Sequence, residues 1–531
     1  MNKKYILTGT MLLLAMSLSL SSCVEDEGCN TMAPINEVEI SGIEDKYYIM
    51  GSETLRIPVT LTGKLSGSNT DQFDFEWLLC NQAISESEHK HELISDQKDL
   101  EYPIDLAPGS YRLIFQAIDK ETGMKWEEQS QITVLSQFVR GFYLFGDKSD
   151  GTCGLDFISM VEGNDTLVVH DILHNTVGMR GAQNLVFTGQ YYAEHALDLW
   201  AVTESGSYAL ENSASQKDFN VLEDATVESM CFPTIPVTKP LKLVDIGPHA
   251  FGSTNVNMSR SWRILMTENE IFFNGTMTAG YEAYGNPYNR YSSSSSELFK
   301  PFPYIFHQGS SYISTAAFYD LTNHRFVRLN SAYYGATNCA TYTDSGSPFW
   351  IDQTNYSPVR DLVYGENGYG NNGYSYALMK DEDGQYYVYE FKILSYSAAG
   401  FSKRRASSID LAVATNFDVA THYAFFSMQP ILLYAAGTQL WGYDYVRNAS
   451  VMLKDFGSEI TYLAMDYASN NKPTDVIVAT YSEAEKGIVR KFSLADDPNE
   501  ITLTEHEYQT ASYPWKSDLK IVKAEYRNCT Y

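Results

Sequence analysis

The sequence predicts an all-β protein, a β-sandwich followed by a β-propeller of about seven blades. Three observations carry that expectation. Tyrosine is abundant, at 39 of 531 residues, and short apolar runs are punctuated by Gly and Asn, which is the composition of strands and turns. No long stretch repeats with a helical period. From about residue 140 onward, two-stranded hairpins that are apolar on both faces recur along the chain.

The segment Tyr374 to Phe391, YSYALMKDEDGQYYVYEF, shows the repeating unit most clearly. Two apolar strands flank the polar turn Asp381-Glu382-Asp383-Gly384, where Gly384 can adopt the positive φ that such turns often require. Side chains alternate along a strand, so Tyr387, Tyr389 and Phe391 share one face and Val388 lies on the other. Ala377 and Met379 likewise oppose Tyr376 and Leu378. A hairpin that is apolar on both faces needs a sheet stacked on either side.

Comparable hairpins are Phe142–Phe157, Ala196–Leu210, Ser261–Phe273, Tyr312–Leu329, Pro430–Tyr445 and Asp475–Leu494. With the prototype they make about seven, within the range of roughly four to eight blades that closes a propeller. Their spacing of roughly 45 to 65 residues is looser than the period of about 40 to 45 in WD40 arrays, and implies divergent blades with long loops. The competing architecture is a series of two or three β-sandwiches, which also produces frequent hairpins. Hairpins apolar on both faces favour the ring.

The net charge of −28 is spread along the chain, and would repel phosphate backbones and anionic headgroups. Nucleic acid is therefore not an expected partner. At the N-terminus Lys3 and Lys4 precede the apolar run Tyr5 to Leu20, which is too short for a spanning helix and suits the core of a signal peptide. It ends in Leu20-Ser21-Ser22-Cys23, which resembles the lipobox of bacterial lipoproteins. By that resemblance, residues 1–22 are a signal peptide and Cys23 carries the lipid. The acidic tether 23–34, beginning Val24-Glu25-Asp26-Glu27, resembles the export signals of surface lipoproteins in Bacteroidetes. It implies a protein lipid-anchored in the outer membrane and exposed at the cell surface.

Six further cysteines, Cys29, Cys80, Cys153, Cys231, Cys339 and Cys529, lie far apart with no CxxC, and suggest neither a zinc nor a redox site. Solitary buried thiols acting as small hydrophobes account for them. Closure of the propeller by a C-terminal strand would bring Cys529 near Cys153, an expected disulfide on closure alone.

Residues 35–136 form a separate module, with the propeller occupying 137–531. Short strands at Val38–Ile40, Leu55–Thr62, Phe73–Leu79, Tyr102–Asp105, Tyr111–Asp119 and Gln131–Leu135 have the rhythm of an immunoglobulin-like sandwich. Trp77 in FDFEWLL and Tyr111 are its expected core anchors. The Trp followed by PG-x-Y-x-L-x-F-x-A-x-D, from Pro108 to Asp119, resembles PKD-like domains, although FDFEW stands where those usually carry WDFGDG. Lipobox, PKD-like module and a large β region together resemble PKD-like family lipoproteins of Bacteroidetes, whose genes often stand beside SusC/SusD-type uptake systems. The resemblance spans the chain in layout and its first 135 or so residues in motif. It implies capture or scaffolding of an extracellular nutrient, a glycan or a peptide, beside such a transporter.

No catalytic motif stands out, no cofactor is implied, and the expectation is a protein that is not an enzyme. Asp381 and Asp383 lie in a turn that favours such residues for local reasons. His89, His91, His170 and His174 lack the third ligand that a metal site needs, so no metal is expected. A propeller hydrolase or lyase acting on extracellular polysaccharide remains the alternative, since groups converging from different blades leave no linear motif. For ligand binding, two aromatic loops are the candidates: Tyr281, Tyr284, Tyr288 and Tyr291, followed by Ser292–Ser296, and Tyr364, Tyr369 and Tyr374. Tyrosine offers a flat apolar face with a polar tip, and Gly, Asn and Ser supply adaptable hydrogen bonds. Plain flexible loops would have the same composition.

Overall fold

The computed structural model describes residues 35–51, 53–81, 91–160, 166–174, 178–187, 199–211, 219–247, 263–274, 283–307, 315–330, 337–368, 373–395, 397–469, 473–495, 497, 499–508 and 512–528. Cys23, Cys29, His89, Tyr281, Tyr369 and Cys529 lie outside them. Two compact units emerge. The first holds the described parts of Met1–Tyr47, Glu53–Ile104 and Ser110–Ile132, and the second the described parts of Tyr48–Ser52, Asp105–Gly109 and Thr133–Tyr531. Among the described residues, no helix is long and apolar enough to cross a membrane.

The N-terminal sheets are those of a sandwich. One orders Lys46–Met50, Lys125–Leu135, Gly109–Asp119, Phe73–Asn81 and Glu92–Ser95 side by side, while Val38–Ser41 pairs with Thr60–Gly63 and Thr54–Ile57 with Leu100–Pro103. The run expected as one strand over 55–62 is thus two. Pro58, which has no N–H to donate to a ladder, stands where the chain leaves one sheet for the other. Trp77 is fully buried against Phe115 at 4.8 Å, and its indole N–H donates to the Gln97 carbonyl at 3.0 Å. Tyr111 is buried as well.

Downstream, the described part of each predicted hairpin supplies two neighbouring strands of one sheet. Blade 1 comprises Arg140–Asp147, Cys153–Ser159 and Leu167–Val169, joined by the C-terminal strand Lys520–Asn528. Blade 2 is Ala182–Phe187, Leu199–Thr203 and Gly206–Ala209, and blade 3 is Leu243–Gly247, Arg263–Thr267 and Ile271–Asn274. Blade 4 runs from the two-residue strand Phe306–His307 through Ala316–Asp320 and Arg325–Leu329 to Cys339–Thr341. Blade 5 is Arg360–Asn367, Ser375–Asp381, Tyr386–Ile393 and Phe401–Ser408. Blade 6 is His422–Phe426, Ile431–Ala436, Gln439–Asp444 and Ala449–Asp455. Blade 7 is Glu459–Met465, Asp475–Ser482, Lys486–Leu494 and Leu503–Glu505, with Trp515–Ser517 also on Lys486–Leu494.

The two faces of blade 5 show why these sheets form a ring. Ala377, Met379, Tyr389 and Phe391 pack with Phe306, Ala317 and Phe326 of blade 4. Tyr376, Leu378, Tyr386 and Val388 pack instead with Phe425, Leu432 and Tyr434 of blade 6. A buried apolar cluster fills each of the other boundaries too: blades 1 and 2, 2 and 3, 3 and 4, 6 and 7, and 7 and 1. The turn behaves as its residues predict. Gly384 has φ 86°, and the Asp381 carboxylate accepts the Gln385 N–H at 2.8 Å and the Tyr387 hydroxyl at 2.9 Å.

Closure comes from the far end of the chain. Lys520–Asn528 pairs antiparallel with Arg140–Asp147, so the innermost strand of blade 1 is the last strand of the sequence. The buried Arg527 guanidinium donates to the Tyr143 hydroxyl and lies over the rings of Tyr143, Phe187 and Phe219. The strands approach closely at Gly146, where a Cβ would run into the Lys520 carbonyl. The expected Cys153–Cys529 bridge falls on Cys529, outside the described residues. Asn528 lies opposite Arg140, whereas Cys153 pairs with Asp147 at the other end of the strand, roughly 25 Å away at the rise of a β-strand. Cys153 is a buried free thiol whose pKa burial pushes up to about 12, and Cys80, Cys231 and Cys339 are also buried and free.

Two substitutions test these seams. Phe391→Ala, removing a ring packed 4.5 Å from Phe401 and 5.3 Å from both Phe306 and Phe326, should cost about 3–5 kcal/mol in equilibrium urea unfolding. Gly146→Ala should loosen the closing strand, read as faster amide hydrogen exchange along 520–528 than along the blade 5 hairpin.

Candidate functional site

The inner strands surround a central cavity of about 450 Å³. Five of them carry the same local device. In blade 5 the ladder pairs Leu362 with Met379 and then Tyr364 with Leu378, so Val363 is skipped. Blade 2 skips Gln183, blade 3 Val244 and blade 7 Thr461, while the closing strand of blade 1 skips Val522. Such a bulge kinks the strand and re-aims the side chain that follows. The residues that follow are Asn184, Asp245, Tyr364, Tyr462 and Lys523, and all five line the cavity. Two positions further on, Gly247, Glu366, Ala464 and Glu525 form a second tier of its wall.

Blade 4 contributes Tyr304, whose hydroxyl accepts the Asn367 N–H at 2.7 Å. Asn367 is itself held by the Ile305 carbonyl, the His307 N–H and the Ser375 hydroxyl. Three more tyrosines are pinned by their hydroxyls. Tyr462 donates to the Ala524 carbonyl at 3.0 Å, Tyr467 donates to the Phe425 carbonyl at 3.1 Å, and Tyr526 accepts from Arg140 Nε at 2.9 Å. The wall is thus rich in aromatic rings fixed by backbone and side-chain hydrogen bonds.

The charged groups are arranged unequally. Lys523 pairs with Glu525 at 3.2 Å. Burial works to lower the Lys523 pKa, but Glu525, with Tyr462 and Asp245 nearby, outweighs it and holds the ammonium above an ordinary lysine. Asp466 is bound by Lys491 at 2.7 Å, and Lys491, almost wholly buried, also meets Asp475 at 3.0 Å. Glu366 differs. Its Oε2 accepts the Phe425 N–H at 2.7 Å and the Tyr364 hydroxyl at 3.0 Å, yet among the described residues no cation pairs with it. Burial raises its carboxyl to about 8, against the opposing pull of those two hydrogen bonds. Tyr304 and Tyr364 are lifted well above the usual phenol range, by burial first and then by the Glu366 charge.

The tyrosine segments singled out from composition serve packing more than display. Tyr284 is fully buried between blades 2 and 3, and its backbone bonds to Met230 and Phe232. Tyr288 packs on Phe273 at 5.3 Å, and its carbonyl accepts the Cys339 N–H. Tyr291 keeps an exposed ring, but its hydroxyl donates to Asp320 at 2.6 Å. Buried Asn289 and Arg290 clamp this stretch to Phe299, Ser295 and Thr337, which is why it is not an open binding loop. Tyr374 is half-buried beneath Lys392 and Arg404. Tyr364 alone of the described candidates reaches the cavity, and it does so from the inner strand of blade 5.

His170 and His174 are not on a helix, and His170 Nδ1 lies 3.0 Å from Asp156. Among the described residues, no group of three or more His, Cys, Asp or Glu is placed to hold a metal. The residues missed from sequence are Asp245, Tyr304, Glu366, Tyr462, Tyr467, Lys523 and Glu525. A signal for several of them exists. LVDIG, LVYGE and IVKAE each place a bulged valine before a lining residue, with the second tier two positions later.

The titration of Glu366 should be visible in stability. Its pKa is higher folded than unfolded, so the folded state holds the extra proton and stability falls as pH rises from about 4.5 towards 8. Glu366→Gln removes that dependence. The variant should match the wild type near pH 5 and exceed it by ~2 kcal/mol at pH 8, after discount for the partial exposure of the group, in paired urea titrations.

Residues 23–184 match the model of the PKD-like family, a stretch that covers the sandwich and continues into blade 2. No curated protein matches the sequence. Among solved structures, a quinonprotein alcohol dehydrogenase-like protein from Bacteroides thetaiotaomicron aligns over 87% of this chain and 94% of its own, at 11% identity and a TM-score of 0.37. The extracellular domain of a protein described as a one-component system, also from B. thetaiotaomicron, aligns over 87% of this chain and 65% of its own, at 10% identity and a TM-score of 0.30. The mitotic checkpoint complex gives 8% identity and a TM-score of 0.28, over 61% of this chain and 79% of that one. In its N-terminal part, the chain is similar to the PKD-like family.

Proposed function

We propose that this protein is a lipoprotein, anchored through Cys23 at the outer face of the outer membrane, whose propeller channel binds an extracellular nutrient, a glycan or a peptide, beside a SusC/SusD-like transporter. The observation that carries the binding role is the channel wall. Tyr304, Tyr364, Tyr462, Tyr467 and Tyr526 converge there from four blades, with polar groups between them. Fixed aromatic rings with a few placed polar groups suit sugar rings or an extended peptide. This reading puts the site in the channel, which Tyr364 of the second tyrosine segment lines. The lipobox-like Leu20-Ser21-Ser22-Cys23 supports the anchor.

A second reading, hydrolysis or elimination on extracellular polysaccharide, is favoured by one feature. Glu366 is a carboxyl held protonated near neutral pH in a channel that also contains Asp245 and Glu525, and such a group can serve as a general acid.

Binding can be measured by titrating the full chain with a panel of oligosaccharides and short peptides. Tyr364→Ala should weaken retention at least tenfold, whereas Tyr291→Ala, which lies outside the channel, should leave it unchanged. Equal affinities in all three proteins would refute the channel as the site. The same mixtures report on the second reading, since product release that Glu366→Gln abolishes would establish catalysis. Metabolic labelling with a fatty acid should mark the wild type and not Cys23→Ser.

A further inference from the structure

We propose that the ligand received by this channel carries a protonated amine, and that its ammonium supplies a counter-charge to the Glu366 carboxyl, which pairs with no cation among the described residues. This depends on the channel-binding reading and narrows it to a chemical class. Two donors, the Phe425 N–H and the Tyr364 hydroxyl, converge on one oxygen of Glu366, an arrangement that favours a carboxylate. A carboxylate so prepared is ordinarily completed by a cation. Among the described residues none is provided. Lys523 is the single Lys or Arg among the described lining residues, and it is committed to Glu525. Lys491, behind the wall, is committed to Asp466 and Asp475.

The carboxyl and phenol groups facing this space from neighbouring strands bring no positive charge. Asp245 of blade 3 is acidic, and Tyr304, Tyr462 and Tyr467 are phenols whose pKa values are all raised. His307 of blade 4 is buried, with its backbone N–H bonded to Asn367. An ammonium beside Glu366 would be neutralised by it, and tyrosine rings offer cation–π faces of the same sign preference. A uronate would bring a second negative charge to a wall that already holds Asp245 and Glu366. Because burial raises the Glu366 carboxyl to about 8, a cation placed beside it should expel its proton, whereas a neutral ligand should not.

Calorimetric titration of the full chain at pH 7, in two buffers of different ionisation enthalpy, tests this with four trisaccharides: of glucosamine, of N-acetylglucosamine, of glucose and of galacturonic acid. The glucosamine trimer should bind at least tenfold more tightly than its N-acetylated form and release about one proton per site. The neutral trimers should release none. Glu366→Gln should lose both the preference and the proton release. Equal affinity for the amine and its acetylated form, or amine binding without proton release by the wild type, would overturn the inference and leave channel binding in place. Failure of every trimer to bind would overturn both. The proton count is read on the wild type, so it does not depend on how well the variant folds.

Discussion

The structure depends on the burial of both faces of every middle hairpin. A sheet apolar on two sides cannot stop at one neighbour, because its outer face would then meet water at a cost of roughly 25 cal/mol for each Å² of apolar surface. Stacking each sheet on the next and joining the last to the first is the arrangement that leaves no such face. Ala377 and Tyr389 on one side of blade 5, and Tyr376 and Val388 on the other, show the principle within a single hairpin. The strand Lys520–Asn528 completes it by lying beside Arg140–Asp147, and its Ile521 and Ala524 fill the last boundary together with Trp515 and Val489 of blade 7.

Against that uniform packing, the channel is built by a deviation. The bulges at Gln183, Val244, Val363, Thr461 and Val522 interrupt the alternation that the rest of each blade obeys. Each sets one side chain in the channel wall, and Tyr364 and Tyr462 reach it while still packing at a blade boundary. Asp245, Tyr364 and Lys523 thus occupy equivalent places with unrelated chemistry. Glu366 stands in the second tier as a carboxyl that is hydrogen-bonded but, among the described residues, paired with no cation.

The hairpins were legible in the sequence because strict alternation of large apolar residues fits little besides a strand covered on both faces, and because Gly384 and its neighbours announce their turn. Trp77 and Tyr111 were legible for a similar reason, since a small sandwich needs large side chains between its sheets. The inner strands were not. Phe306–His307 is only two residues long, and the bulged strands mix polar and apolar positions in a pattern that resembles a loop. The segment around Tyr284 and Tyr288 misled for the opposite reason. Composition alone does not separate a displayed tyrosine from a packed one, and what decides here is the burial of Asn289 and Arg290, whose polar ends bond to distant backbone. The register of the closing strand was equally out of reach, because it is fixed by Gly146 and by a skipped Val522, at opposite ends of the propeller sequence.

That separation has a bearing on biosynthesis. The hairpin Arg140–Ser159 leaves the ribosome ahead of blades 2 to 7, but the strand that must cover its inner edge follows all of them. Until then an unpaired row of amides and carbonyls, beside exposed Phe142 and Leu144, waits while six further sheets assemble around it. For such a ring the slow and vulnerable stage is the joining of its two ends, and a truncated polypeptide would be left with a sticky gap instead of a smaller propeller.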